Sequence, residues 1–297
     1  MNLEKTAEPK PPTILWGGSY LGARHVRANP MLVSGSAILI PLIAVAVLAP
    51  AFATIDPLAI DAAAKLLPPS SSHVLGTDEF GRDVLSRIIV GARISLRVAF
   101  AATALTAVFG ITLGSLSGQY RWADTIIGRI SDSLLIFPGF VLGIMILAAI
   151  GPAEINVILA VVVLYVPRVI RTVRASVIEF KSADFVQAAR SVGVGDFRVM
   201  VVHILPNAIG PVMVQLTFGF AWAILAEAGL SFLGLGPPPP NPSWGNMISD
   251  AREFIRTAPW LMIAPGTMIS LAVLSLNLIG DGLRDMLDPR LQSKVNL

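Results

Sequence analysis

The chain of 297 residues has no cysteine, three histidines and three tyrosines. Its charges are few: 22 basic and 19 acidic side chains, 14% of the residues. Without cysteine there is no disulfide framework, no thiolate-held zinc or iron–sulfur cluster, and no thiol nucleophile. Soluble domains carry roughly 25% charged residues. A mean hydropathy of +0.73 with 54% apolar residues excludes intrinsic disorder, which needs the opposite balance. The five lysines, Lys5, Lys10, Lys65, Lys181 and Lys294, follow Glu4, Pro9, Ala64, Phe180 and Ser293. None follows glycine, so the chain lacks the Gly-Lys-Ser/Thr loop that cradles nucleotide phosphates. His25, His73 and His203 are far apart, with no His-Glu-x-x-His helix, and each reads as a structural or hydrogen-bonding residue. A Gly-x-Ser-x-Gly nucleophile turn is also missing. These absences leave no candidate catalytic residue, metal ligand or cofactor site.

What is present is long apolar runs. A helix crossing about 30 Å of hydrocarbon needs roughly 20 mostly apolar residues. Six stretches meet or approach that length: Met31–Ala53, Ser95–Ser117, Ser131–Ile150 with Pro138 inside it, a fourth from Ala153 past Pro167, Asn207–Leu225 and Pro259–Ile279. The expected fold is an all-α polytopic membrane protein. Residues 1–30 form a Pro- and Lys-bearing arm and 31–53 the first span. Residues 54–94 form an outer loop, 95–281 the core, and 282–297 a tail. Ala51-Phe52-Ala53 also resembles a signal-peptide cleavage site, but a 30-residue arm and 23 uncharged positions exceed a usual signal core. The fourth span is the weakest, because Arg168 interrupts it early.

Six spans put both termini on one side. Seven basic residues, Lys65, Arg82, Arg87, Arg93, Arg97, Arg252 and Arg256, then fall in the outer segments, and the other fifteen of the 22 fall on the side of the termini. The positive-inside rule makes that side cytoplasmic. Arg93 and Arg97, one helical turn apart, oppose the rule locally and would snorkel outward. The candidates for ion coupling near the spans are few: Asp132, Glu227 and Asp281. Each reads as a helix-end or interface residue, which argues against an ion-coupled transporter with deep titratable groups.

Three loops are long. In 54–94, Asp83 to Ile89 has apolar residues at helical spacing and reads as an amphipathic helix on the outer interface. In 168–207, Lys181 to Val192 reads as a helix stopped by Gly193. Gly195-Asp196 then turns the chain, with Asp196 as turn or N-cap residue. Phe197 to Val202 form a second short apolar helix, and Leu205-Pro206 ends it. Small Ala188 and Ala189 allow close approach of another surface. Spacing alone leaves this elbow either a docking knob or a helix lying on lipid. The third loop, 236–258, opens with Pro237 to Pro240, and its Trp244 reads as an anchor for a partner or as an interfacial tryptophan.

Gln187-Ala188-Ala189, then Gly193 three residues on, then Leu205-Pro206, resembles the EAA loop of ABC importer permeases. That loop reads Glu-Ala-Ala-x3-Gly-x9-Ile-x-Leu-Pro. Gln187 replaces the glutamate, which puts a salt bridge from that position in doubt, and His203 stands at the isoleucine position. Gly76-Thr77-Asp78, Gly81-Arg82-Asp83 and Ser86-Arg87 resemble the segment before span two in C-type permeases of the dipeptide/oligopeptide/nickel branch. Glu227 to Gly236 with Pro242-Ser243-Trp244-Gly245, and Asn277 to Asp285 with Asp288-Pro289-Arg290, resemble the same branch. These matches run from residue 75 to 290.

The resemblance implies a type I ABC importer permease fold and a bacterial inner-membrane location. It implies a transport subunit without catalysis of its own. Its partners would be a homologous B-type permease, two ATPase subunits or a fused pair, and a periplasmic or surface binding protein. No nucleic acid is implied. ATP and magnesium would sit on the ATPases, none on this chain. Coupling to them would fall on Gln187, Ala188, Ala189, Gly193, Asp196, Leu205 and Pro206. The implied cargo is a dipeptide or oligopeptide, with nickel, glutathione, an opine or an antimicrobial peptide as alternatives. A self-sufficient secondary transporter and a transport-free scaffold are the competing classes, and both leave the elbow spacing unexplained.

Overall fold

A computed structural model of the chain describes residues 29–48 and 56–287. Residues 1–28 of the N-terminal arm, Ala51-Phe52-Ala53 and Asp288-Pro289-Arg290 lie outside the described residues. The described residues fold as helices, with one isolated β-bridge between Thr77 and Asp83. Helix α1 spans Pro30–Val47; the side chain of Asn29 caps it by accepting from the amides of Met31 and Leu32.

Helix α2, Val84–Gln119, is 36 residues long. At 1.5 Å per residue that is about 54 Å, far more than a bilayer core. The separate amphipathic helix expected over 83–89 is therefore the first turn and a half of α2. Asp83 caps it, its Oδ2 accepting from the amide of Ser86 at 2.9 Å. Val84, Ser86, Arg87 and Ile88 are buried rather than laid on lipid, because Met247, Ala251 and Leu261 cover them.

The third span is broken. Helices α3, Arg121–Ile136, and α4, Gly139–Ile150, meet at 97° across Phe137-Pro138. Proline disfavours helical backbone in the residue before it, and Phe137 is extended. Five helices are long and apolar enough to cross a membrane, and the bent pair makes a sixth span if taken as one.

Helix α5, Glu154–Lys181, runs straight through Pro167 and Arg168. The long inner loop expected from Arg168 thus begins only after Lys181. Neighbours satisfy three of the charges of its second half: Arg171 meets Asp132 at 2.7 Å, Arg174 grips Asp124 at 2.5 and 2.8 Å, and Lys181 donates to the carbonyl of Gln119 at 2.7 Å. Near its other end Glu154 takes a bidentate pair from Arg97 at 2.9 and 2.6 Å. The expected snorkelling of Arg97 is replaced by this pair.

Helix α6 spans Asp184–Ser191. Helix α7 runs from Asp196 to Phe232, with a π-helical stretch at Val199–Ile204. Leu205-Pro206 does not end a short helix as expected. Pro206 sits in the first turn of the α-helical part, where a missing N–H costs little, and the π stretch re-registers the turns before it. Helix α8 is Trp244–Asp250 and helix α9 is Trp260–Leu287.

The most extensive packing is between α2 and α5. Gly110, Gly114 and Gly118, four residues apart on α2, lie against Val169, Val173 and Val177, four apart on α5. Small residues at this spacing let helix backbones close up where lipid supplies no hydrophobic drive. Helices α7 and α9 pack on each other, α1 packs on α9, and α7 also meets α2 and α5. The bundle has an elbow end at 182–204 and a loop-rich end at 56–83 and 233–259.

Candidate functional site

The elbow is built from a helix stop. Gly193 has φ +85°, a conformation that costs little only for glycine. Its amide donates to the carbonyl of Arg190 at 2.9 Å and the amide of Val194 to that of Ala189 at 3.1 Å. This double bond pattern is the Schellman cap, and it turns the chain sharply into α7. Gln187 is exposed, its Nε2 donating to the carbonyl of Lys181 at 2.9 Å. Ala188 is exposed and Ala189 half-buried. Asp196 is the first residue of α7, not its cap, and its carboxylate meets Arg190 at 3.3 Å.

The underside of the elbow is apolar. Val186, Val199, Met200 and Ile204 are buried against Val169, Val173 and Val177 of α5. The elbow is therefore fixed to the same helix that packs on α2. At its tip Val192 is 81% exposed and Phe197 82%. These are two large apolar side chains left bare beside a helix stop. Of the seven residues on which coupling is expected, the structure brings Gln187, Ala188, Ala189, Gly193 and Asp196 to this elbow. Leu205 and Pro206 lie beyond it, inside α7.

At the loop-rich end the eight motif residues form one cluster. Asp78 Oδ1 accepts from the amides of Phe80 and Arg82, both at 2.9 Å. Its Oδ2 meets Arg82 Nε at 2.6 Å and Arg87 Nε at 3.3 Å. Thr77 Oγ1 accepts from the amide of Leu67 and donates to the carbonyl of Ala64. His73 Nδ1 meets Asp83 Oδ1 at 3.0 Å. Gly76 and Gly81 have φ +76° and +78°, and a Cβ on Gly81 would lie 1.8 Å from the carbonyl oxygen of Asp61. The segment clamps the chain before α2 to the helix itself.

Two residues take places the sequence did not indicate. Trp244, expected at the surface, is fully buried. Its ring N–H donates to the carbonyl of Ile88 and its amide to Ser95 Oγ, both at 3.2 Å. Glu227, expected at an interface, is also fully buried. It accepts from Ser231 Oγ at 2.7 Å, and the hydroxyls of Ser243 and Ser95 face the same carboxyl. This polar knot ties α2, α7 and α8 together.

Burial pushes the Glu79 carboxyl above its ordinary range; nearby Asp78 adds to this, and its own backbone hydrogen bond and Arg82 oppose it. Burial raises Asp250 likewise, against the pull of Arg87 and Arg82. A carboxyl raised on folding binds its proton better folded than unfolded. Its contribution to stability is full below the ordinary value of about 4 and is lost as pH rises through the raised one. The double variant Glu79→Gln/Asp250→Asn should lose stability less steeply than the wild type between about pH 4 and 7, read as thermal melts in detergent. Equal slopes would contradict the assignment.

A family model for binding-protein-dependent transport system inner membrane components matches residues 107–293. The chain belongs to this family. It is a permease subunit of an ABC importer. The permease is similar to the dipeptide transport system permease protein DppC of Alkalihalophilus pseudofirmus, 43% identical over 271 residues, 91% of this chain and 89% of that one. It is similar to the probable D,D-dipeptide transport system permease protein DdpC of Escherichia coli, 37% identical over 93% of this chain and 94% of that one. It is also similar to the glutathione transport system permease protein GsiD of Pectobacterium atrosepticum, 43% identical over 76% and 75% of the two chains. The spacing of the permease's EAA-type loop marked the elbow, but not its bare tip. Phe197 and Val192 read in the sequence as apolar members of the two short helices, with no direction assigned. The signal that they point outward is their place on either side of the Gly193–Gly195 turn, where neither helix continues to bury them.

Proposed function

We propose that this permease forms half of the translocation pathway of an ATP-driven peptide importer, paired with a B-type permease. The elbow is the lever: two ATPase subunits, carrying ATP and magnesium, dock on Val192, Phe197, Ala188 and Gly193. The observation that carries this reading is the elbow's construction. A Schellman-locked turn leaves its apolar tip bare while its underside is packed on α5. A push at the tip then moves α5 and, through the glycine stripe, α2 as one body. The basic residues support cytoplasmic termini and a cytoplasmic elbow. The loop-rich end then faces a binding protein outside. Peptides are the cargo class, from the names of the relatives; glutathione is itself a small peptide. The chain contributes no catalysis.

The test is co-purification. A tagged chain expressed with its neighbouring ATPase genes should retain the ATPases, and a Val192→Asp/Phe197→Asp variant should release them at unchanged membrane levels. Retention by the variant would remove the elbow tip from the contact.

A further inference from the structure

The elbow end of the bundle carries a cavity that coupling does not use. It has a volume of about 570 Å³ and lies where α2, α3 and α5 meet, lined by Ser117, Asp124, Arg129, Asp132, Arg171 and Arg174. Two helices fix its depth. Toward the loop-rich end, Arg97 of α2 pairs with Glu154 of α5. Ser117 stands 20 residues after Arg97, and Arg174 stands 20 after Glu154. Both distances are about 30 Å along the helix, one hydrocarbon thickness. With Arg97 and Glu154 at one membrane interface, the cavity lies at the other.

Two of the three arginines in this cavity are satisfied, Arg171 by Asp132 and Arg174 by Asp124. Arg129 is exposed and has no carboxylate within ion-pair distance among the described residues. A guanidinium with free donors at this level is drawn to the negative headgroup layer and matches a phosphate with its fork of N–H groups.

The helix that carries Arg129 favours a lipid over a soluble anion. Trp122, Ile126 and Ile130, four residues apart on α3, are 66%, 54% and 58% exposed. Arg129 stands seven residues after Trp122 and three after Ile126, so it shares their side of the helix. The rings of Tyr120 and Trp122 stack with centroids 6.4 Å apart, and both are exposed. Such amphipathic aromatics belong at the headgroup level. At 97° to α4, α3 leaves the line of that helix. Its bare apolar stripe beside a charged edge is the make-up of an interfacial helix. A soluble anion would meet the arginine and leave the stripe uncovered; a phospholipid fits both.

We propose that this corner seats an anionic phospholipid, its phosphate on Arg129 and its acyl chains along Trp122, Ile126 and Ile130. The leaflet is the cytoplasmic one in the orientation read above.

The test is native mass spectrometry of the whole complex, titrated with phosphatidylglycerol or phosphatidylcholine. Arg129→Gln should weaken phosphatidylglycerol binding about fivefold, the size of one basic residue at the headgroups, and leave phosphatidylcholine unchanged. Arg129→Lys should keep the preference, since the charge is retained. Excess inorganic phosphate should not displace the lipid. A photoreactive benzophenone residue in place of Ile126 should give a phospholipid adduct in membranes. The proposal is overturned if Arg129→Gln keeps full phosphatidylglycerol binding or weakens both lipids alike. Displacement by inorganic phosphate, or a crosslink to the partner permease instead of lipid, would overturn it as well. No arm uses cargo or ATP, so failure here leaves the peptide-import reading standing.

Discussion

Gly114→Leu is expected to separate the two central helices and to leave a permease that inserts but does not hold its bundle. A Cβ at Gly114 would sit 2.7 Å from the Cβ of Val173 and 3.0 Å from the backbone oxygen of Ile170. Backbone cannot step aside as a flexible side chain can. Overpacking of this kind costs about 1–3 kcal/mol, more where the surroundings are rigid, and the stripe repeats the contact at Gly110 and Gly118. Gly128 on α3 is the control, because its Cβ would meet nothing closer than 3.9 Å. Gly128→Ala should melt at or slightly above the wild-type temperature, since alanine is the better helix former. The check is a thermal melt of the purified protein. A Gly114→Leu variant as stable as wild type would show that the α2–α5 contact is not close-packed.

The second large effect is at Gly193, where space and backbone can be separated. A Cβ there meets nothing within 4 Å, so volume is free; the constraint is φ +85° alone. The left-handed conformation costs about 1–2 kcal/mol for an ordinary residue and less for asparagine. Gly193→Val should therefore tilt or melt the elbow, and peptide uptake should fall by about tenfold or more at normal membrane levels. Gly193→Asn should keep about half or more of the uptake. A valine variant with wild-type uptake would mean that the turn does not transmit the motion.

The spans were legible because lipid demands length, and length is plain in a sequence. What escaped reading was settled by side chains far apart in the chain. Arg168, Arg171 and Arg174 seemed to end the fourth span, yet Asp132 and Asp124 from α3 neutralise the last two and the helix continues. Trp244 was read as a partner anchor or interfacial tryptophan, and Glu227 as a helix-end or interface residue. No local pattern told that Ile88, Ser95 and Ser231 would supply their partners. Pro206 reads as a helix stop unless the π-helical turns before it are known. The elbow itself was legible, because a glycine stop is local chemistry. That its tip is apolar was legible too; that Val192 and Phe197 are the side chains left bare there was not, because exposure depends on what α5 leaves uncovered.

The most direct test of the account is ATP hydrolysis by the reconstituted permease pair with its ATPases in liposomes. Peptide-loaded binding protein should stimulate hydrolysis, and the Gly193→Val permease should abolish that stimulation. Hydrolysis that ignores the loaded binding protein, or stimulation that survives in Gly193→Val, would contradict the claim that this chain carries the ATPase stroke through its elbow.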